Sequence, residues 1–329
     1  MPDRPQTPSS ASAPSSGAPG GPAGAAGPAR GRKKLTRKNQ ARRSATAWRE
    51  RNAPQHEALR FHEVHRKIPV GLSTSSVFPL GLEDCFRAAA DTGYDGVEVM
   101  ASFAKESRSP ERLRTLVRVY ELPILSLHAP TLFFLQFVWG RDPRAKLEKT
   151  VQMAVDLEIP TVVAHPPFRW QGDYARRFVD IVRELEDRYQ VEVAVENMYP
   201  WRLGVREVLP YLPDHDPTDE DFRHVTIDLS HASTAGDDAL AMIDRVGDRL
   251  AHLHLADGSG HSLKDEHLVP GDGKQPVKEI LSTLVRRDWY GSIVVEISTG
   301  STRSLQAKLP AIQRSIDFAR RELGHHLRM

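Results

Sequence analysis

The segments AHLHLAD (residues 251–257) and VTIDLSH (residues 225–231) carry the pattern on which the fold prediction rests. Each is a short, largely apolar run that ends in side chains able to bind a metal, His254 in the first and Asp228 with His231 in the second. Apolar strands of this kind are typical of a parallel sheet that helices cover on both faces. A charged group buried at the end of such a strand costs free energy unless it is paired or bound to a cation.

The same pattern recurs in both directions along the chain, where short apolar runs alternate with longer segments of 3.6-residue periodicity. The predicted strands are Val70–Ser73, Gly96–Met100, Ile124–His128, Thr161–His165, Glu192–Glu196, Val225–Asp228, Ala251–His254 and Ser292–Glu296. The predicted helices are residues 80–92, 110–120, 142–158, 173–189, 202–212, 237–249, 276–287 and 304–323. Eight alternating units predict an α/β fold, a single (β/α)8 TIM barrel over residues 68–323. Their even spacing disfavours the alternative, an open doubly wound sheet.

The two ends of the chain differ from this body in composition. Residues 1–29 are almost entirely Pro, Ala, Gly and Ser, and they are predicted to be disordered, low-complexity sequence. Residues 1–67 carry 14 Lys and Arg against 4 Asp and Glu, whereas residues 68–329 carry 31 against 39. The sequence therefore predicts a disordered N-terminal extension with a basic tail, an acidic barrel, and a short C-terminal tail at 324–329. The basic tail is interpreted as a solvated extension or, alternatively, as a segment that binds nucleic acid.

A cytoplasmic location is predicted. The one cysteine, Cys85, cannot form an internal disulfide, which is typical of a reducing compartment. No run of 18 apolar residues is present, so no membrane-spanning helix is predicted. The N-terminus has no apolar core followed by a cleavage site, so no secretory signal is predicted. A transit peptide in residues 1–51 is the alternative, and the Pro and Gly content of that segment opposes it.

Metal-binding side chains stand at the ends of six predicted strands: His128, His165, Glu196, Asp228, His254 and Glu296. Because the carboxyl ends of barrel strands open into one mouth, these side chains are expected to converge there. Asp228 with His231, and Asp265 with His267, add two ligand pairs in the following loops. Carboxylates that converge with imidazoles predict a divalent metal site. His252 is predicted to point opposite to His254, away from the lumen, and to have a structural role.

The loops after the fourth and fifth strands are predicted to overhang this mouth and to contact substrate. They contain Arg169 and Trp170 in the first loop and Asn197, Trp201 and Arg202 in the second. The aromatic residues are expected to form a lid, and Arg169 or Arg202 to bind an anionic group such as phosphate or carboxylate. The alternative is that these residues cap helices and cover the rim of the barrel.

These residues resemble the xylose isomerase-like barrel superfamily, which includes sugar isomerases and epimerases together with type IV apurinic endonucleases. The resemblance covers about residues 68–323. The segment Tyr94-Asp95-Gly96-Val97-Glu98 is similar to a Gly-Val-Glu element of the isomerase and epimerase branch. Further similar elements are Glu196-Asn197, Asp228-x-x-His231, His254-Leu255-Ala256-Asp257, Pro270-Gly271-Asp272-Gly273 and Glu296.

The isomerase branch implies one metal held by Glu196, Asp228, His254 and Glu296. Glu196 and Glu296 are then the acid–base pair, and His231 contacts a substrate hydroxyl. A metal that polarises a carbonyl allows two carboxylates to remove and return the adjacent proton through an enediolate. The resemblance therefore implies an isomerase or epimerase of a sugar or sugar phosphate. Zn²⁺ is the expected metal, with Mn²⁺, Mg²⁺ and Co²⁺ as alternatives.

The endonuclease branch implies a larger set of ligands for three zinc ions and phosphodiester hydrolysis on abasic DNA. That set is His128, His165, Glu196, Asp228, His231, His254, Asp265, His267 and Glu296. The chain departs from this branch at Pro167, where the pattern has glycine, and at Thr131, where it has an aromatic wedge. The acidic barrel also gives no footprint for a duplex. The isomerase is therefore preferred, the phosphodiesterase is the alternative, and a polyol dehydratase or a sugar-binding protein without turnover remains open.

Overall fold

The structure is a computed structural model that describes residues 68–130, 135, 137–203, 206–260 and 264–324. Within them, eight parallel strands close into a barrel, which confirms the predicted (β/α)8 fold. The barrel strands are β1 (Val70–Ser73), β2 (Gly96–Met100), β3 (Ile124–His128), β4 (Thr161–Ala164), β5 (Glu192–Glu196), β8 (His224–Asp228), β9 (Leu250–Leu255) and β10 (Ser292–Val295). The predictions for residues 1–67, 325–329 and Thr131 lie outside the described residues.

Helices surround the barrel at close to their predicted positions. They are α1 (Leu82–Thr92), α2 (Pro110–Tyr120), α3 (Pro143–Asp156), α4 (Gly172–Arg176), α5 (Phe178–Tyr189), α6 (Leu229–Ala235), α7 (Ala239–Val246), α8 (Val277–Arg286) and α9 (Leu305–Glu322). Side-chain caps fix several starting points, as at α3, where Asp142 accepts hydrogen bonds from the backbone N–H groups of Arg144 and Ala145. None of the helices in the described ranges is long and apolar enough to cross a membrane.

The helix predicted at residues 202–212 is wrong. The chain there forms an antiparallel hairpin of β6 (Trp201–Leu203) and β7 (Arg206–Val208). Pro213 opposes a helix that runs to its preceding residue, because the proline ring disfavours helical backbone angles there. The extended chain also directs Trp201 onto a small apolar cluster of its own. In the described part of the chain, no α-helix lies between β5 and β8.

The register of the barrel sets the predicted ligands at one level. Asp228 lies opposite His254 across the β8–β9 pair, and His254 lies opposite Val294 of β10. Glu296 follows β10 directly, and its backbone N–H donates to the Leu255 carbonyl at 3.2 Å. The main core fills the layer between barrel and helices with buried aliphatic and aromatic side chains. The polar side chains are thus held at the carboxyl ends of strands that this core fixes in place.

Candidate metal centre and active site

Glu196, at the end of β5, lies at the centre of the barrel mouth. Its Oε2 is 2.9 Å from His165 Nε2 and 3.2 Å from His128 Nε2. Its Oε1 is 2.9 Å from His254 Nδ1 and 3.4 Å from His231 Nδ1. Burial favours a raised pKa for this carboxyl, but the imidazoles of His254 and His165 outweigh burial and hold the pKa well below its usual range. Four imidazoles therefore surround one buried carboxylate.

A second group consists of Glu196, Asp228, His254 and Glu296, whose ligand atoms all lie within 4.8 Å of one another. His254 Nδ1 is 3.0 Å from Glu296 Oε2 and 3.4 Å from Asp228 Oδ2. Among the described residues, the buried Asp228 Oδ2 atom has no hydrogen-bond partner. Glu296 Oε1 accepts a hydrogen bond from Ser75 Oγ at 2.8 Å. One imidazole, three carboxylates and an unpartnered buried oxygen fit a divalent cation.

A third group lies on the side of the loop after β9. His267 Nε2 is 2.7 Å and His231 Nε2 is 3.2 Å from Asp265 Oδ2. Asp228, His231 and His267 also have ligand atoms within 4.8 Å of one another. Burial favours a lowered pKa for His267, but the Asp265 carboxylate outweighs it and raises the pKa to about 10. We call the nine predicted ligands the mouth cluster; they are His128, His165, Glu196, Asp228, His231, His254, Asp265, His267 and Glu296.

A family model described as xylose isomerase-like TIM barrel matches residues 86–322. The chain belongs to this family. An uncharacterized protein of Mycobacterium leprae (strain TN) is 44% identical over 272 residues, which cover 77% of this chain and 97% of that protein. The fructoselysine 3-epimerase of Shigella flexneri is 25% identical over 256 residues, with 70% and 91% covered. A solved structure of the IOLI protein with a zinc atom has a TM-score of 0.59 at 17% identity, with 80% and 100% covered, a likeness that shows the fold alone.

This xylose isomerase-like barrel buries two more titratable side chains below the mouth cluster, Glu98 and His252. The prediction that His252 points away from the lumen is wrong, because residues two apart on a strand share a face. His252 Nε2 and His254 Nε2 both lie 3.2 Å from Glu98 Oε2. Ser126 Oγ donates to the same oxygen at 2.8 Å. Glu98 belongs to the Gly-Val-Glu element of the sequence. An acid in the middle of the apolar strand β2 is the signal that could have identified it as part of the site.

The two loops predicted to overhang the mouth are joined to each other. Phe168 and Tyr211 form a β-bridge, and their rings lie 5.3 Å apart. Met198 is buried with them, and Trp201 packs against the group. We call these four residues the lid cluster. It is separate from the main core, so the aromatic residues of the two loops pack on one another; that they form a lid over the mouth stays a prediction.

The polar residues predicted to contact substrate make backbone contacts. The Asn197 amide joins β5 to β8, donating to the Asp228 carbonyl at 3.1 Å and accepting from the Asp228 N–H at 2.7 Å. Arg202 donates to the carbonyls of Thr234 and Ala235 at the end of α6, and its Nε donates to Glu207. The exposed Arg169 donates from Nε to the Leu209 carbonyl at 2.8 Å. These contacts compete with the anion-binding role predicted for Arg169 and Arg202.

Proposed function

We propose that this protein is a divalent-metal-dependent isomerase or epimerase of a sugar or sugar phosphate. The observation that carries the proposal is the convergence of Glu196, Asp228, His254 and Glu296 from four strands onto one buried point. Zn²⁺ suits this mixture of carboxylate and imidazole, and Mn²⁺, Mg²⁺ and Co²⁺ are the alternatives to test. The similarity to a fructoselysine 3-epimerase over 91% of that enzyme supports the same class of reaction.

In the proposed reaction, the protein supplies two carboxylates and the bound cation supplies charge. A divalent cation held by Glu196, Asp228, His254 and Glu296 would polarise the substrate carbonyl and its neighbouring hydroxyl, and would make the proton on the adjacent carbon easier to remove. Glu196 and Glu296 are the proposed acid–base pair, one removing that proton and the other returning a proton on the opposite face. Ser75 orients Glu296 through its hydrogen bond to Oε1. His231 is proposed to hold a substrate hydroxyl, with Asp265 orienting its ring.

A specific observation supports a second candidate, a phosphodiesterase that uses three zinc ions. The mouth cluster contains three ligand groups, and these overlap: Glu196 belongs to two of them and Asp228 belongs to two. Carboxylates shared in this way suit metal ions held side by side, which is the arrangement that stabilises both oxygens of a phosphoryl displacement. The two candidates differ in the number of metals and in the need for His128, Asp265 and His267.

Metal content separates the two candidates. We would measure bound metal per chain on protein purified without chelator, for the wild type and for an Asp265→Ala/His267→Ala variant. One metal per chain, retained in the variant, is expected for the isomerase. About three zinc ions, with one lost in the variant, would favour the phosphodiesterase. The matched control is Asp214→Ala/His215→Ala, which removes another Asp–His pair, with its nitrogen and oxygen 2.7 Å apart, outside the mouth cluster.

Turnover is tested with ketoses, their phosphates and fructoselysine in deuterated water. An enediolate reaction incorporates solvent deuterium at the carbon next to the carbonyl, even when the net conversion is small. Incorporation that requires metal and is lost in Glu296→Gln is the expected result. Cleavage of abasic-site DNA without deuterium incorporation into any sugar would overturn the isomerase proposal and support the second candidate.

A further inference from the structure

A cavity of about 420 Å³ adjoins the mouth cluster on the side of β4. It lies between the first turn of α3 and the loop after β4, and its size is typical of sites for small molecules. His165 lines this cavity, and its Nε2 is also 2.9 Å from Glu196 Oε2. A substrate in contact with His165 can therefore extend from the proposed reaction centre into the cavity.

The side chains that line this cavity include positive charges, whereas the adjoining mouth cluster contains carboxylates. Its described lining residues include the cations Arg141 and Lys146 and no Asp or Glu. Lys146 is only 6% exposed, whereas Lys149, one turn further along α3, is exposed. Burial lowers the pKa of the Lys146 amine, and the carboxylate of Asp142 partly opposes this. Asp142 Oδ1 accepts hydrogen bonds from the backbone N–H groups of Arg144 and Ala145 at the start of α3.

Aromatic side chains form the remaining wall. The rings of Phe168 and Trp170 are stacked at 4.5 Å between centroids, with planes 5° apart, and Tyr174 adds a third ring. Trp170 is 57% exposed, so a large apolar face is open to solvent at this position. A pocket with aromatic walls and a few convergent charged groups is the usual construction of a site that orients a small polar ligand.

We propose that this cavity binds the anionic group of the substrate, so that the enzyme acts on a sugar that carries a phosphate or a carboxylate. The inference rests on the proposed function, because it takes the reacting part of the sugar to lie at the mouth cluster. The guanidinium of Arg141 presents a planar fork of donors, and Lys146 presents a buried ammonium group. Arg169 and Arg202, the arginines predicted to bind an anion, do not belong to the described lining of this cavity.

The cavity is tested by calorimetric titration of the metal-loaded protein with inorganic phosphate and, separately, with glucuronate. The variants are Lys146→Met and Arg141→Gln, and the matched control is Lys149→Met on the exposed face of α3. Each cavity variant is expected to weaken binding of the anion about tenfold or more, since a charge-assisted hydrogen bond is lost. The control is expected to bind as the wild type does. Arg141 is exposed, so Arg141→Gln is the decisive variant if Lys146→Met does not fold.

The affinities for the two anions show which group of the substrate carries the negative charge. Loss of phosphate affinity alone indicates a sugar phosphate, and loss of glucuronate affinity alone indicates a sugar acid. Equal affinity of all variants for both anions overturns the inference, because any anion bound would then lie elsewhere, for example on the metals. The outcome is independent of turnover. Deuterium incorporation into neutral and anionic sugars alike, with unaffected anion binding, would leave the proposed function standing without this cavity.

Discussion

Both ends of the barrel bury carboxylates against imidazoles, but they do so in different ways. At the amino ends of the strands, Glu186 Oε1 lies 2.5 Å from His224 Nδ1 and accepts the Val193 N–H at 3.2 Å. Arg223 lies 3.7 Å from the other oxygen of Glu186. We call Glu186 and His224 the amino-end pair; on the other side of the imidazole, His224 Nε2 lies 3.6 Å from Glu192 Oε1. In the mouth cluster, one carboxylate instead faces four imidazoles.

The difference separates a structural pair from a proposed reaction centre. A buried acid–imidazole hydrogen bond holds two secondary-structure elements together, and removing one partner leaves the other polar group unsatisfied. In the mouth cluster, by contrast, the ligand atoms of Glu196, Asp228, His254 and Glu296 all lie within 4.8 Å of one another. Carboxylates and imidazoles placed in this way fit a bound cation better than they fit separate ion pairs.

The largest difference between the two ends is expected for turnover. Glu296→Gln in the mouth cluster should lower kcat about 10³-fold, because the variant has lost one of the two proposed proton-transfer groups. The melting temperature should change by no more than about 3 °C, since the shape of the side chain is kept. The sugar identified by deuterium incorporation serves as the substrate. Turnover within tenfold of the wild type would show that Glu296 is not an acid–base group.

The amino-end pair should show the reverse behaviour. Glu186→Ala leaves His224 Nδ1 and the Val193 N–H buried without their hydrogen-bond partner, so the free energy of unfolding should fall by about 2–5 kcal/mol. Metal content and kcat of the folded protein should be unchanged. Urea denaturation measures the loss, and Asp180→Ala, an exposed acid on the same helix, should cost less than about 1 kcal/mol. Equal effects of the two substitutions would contradict a structural role for the pair.

Glu98 lies between these extremes, because it touches a proposed ligand from below. Its Oε2 is 3.2 Å from His254 Nε2, while His254 Nδ1 faces the carboxylates above. Partners that orient a ligating imidazole typically contribute 10–100-fold to metal affinity. Glu98→Gln should therefore weaken metal binding by about that factor in a competition titration with a chelator. The exposed Glu83→Gln is the control, and equal affinities in the two variants would remove this role.

The smallest effect is a change in how stability depends on pH. Burial raises the pKa of Glu186 to about 8, although Arg223 acts in the opposite direction. Since an unfolded glutamate has a pKa of about 4.3, the stabilisation from this group is complete below that pH and is lost as pH rises through 8. From pH 5 to pH 8, the free energy of unfolding should therefore fall by at least about 1 kcal/mol less in Glu186→Gln than in the wild type. Parallel profiles for variant and wild type would contradict the raised pKa.

The barrel and the meeting of the candidate ligands at its mouth were predictable, because both follow from patterns within short segments of the sequence. Eight apolar runs fixed the strands, and the carboxyl ends of parallel barrel strands must meet in one mouth. Side chains such as His165 and Glu296 could therefore be grouped across more than a hundred residues of sequence. Asp265 and His267 belonged to the same group because their loop follows β9.

The remaining features depend on contacts that a single segment does not display. The hairpin β6–β7 was missed because residues 202–212 have apolar spacing compatible with a helix, while the packing of Trp201 favours an extended chain. His252 shares a face with His254 because side chains two apart on a strand point the same way, so the predicted opposite orientation does not hold. The periodicity of α3 gives no sign that Lys146 faces a cavity while Lys149 faces solvent. That distinction is set by the loop after β4.

The lid cluster has a consequence for how the loops of this barrel can be exchanged. Its members come from two different loops, and the N–H of Arg169 in the first donates to the carbonyl of Pro210 in the second at 2.7 Å. A recombinant that exchanged only the loop after β4 with a relative would take Phe168 away from Trp201 and Tyr211. Engineering of this barrel for a new substrate should therefore replace both loops together, so that their contacts with each other are kept.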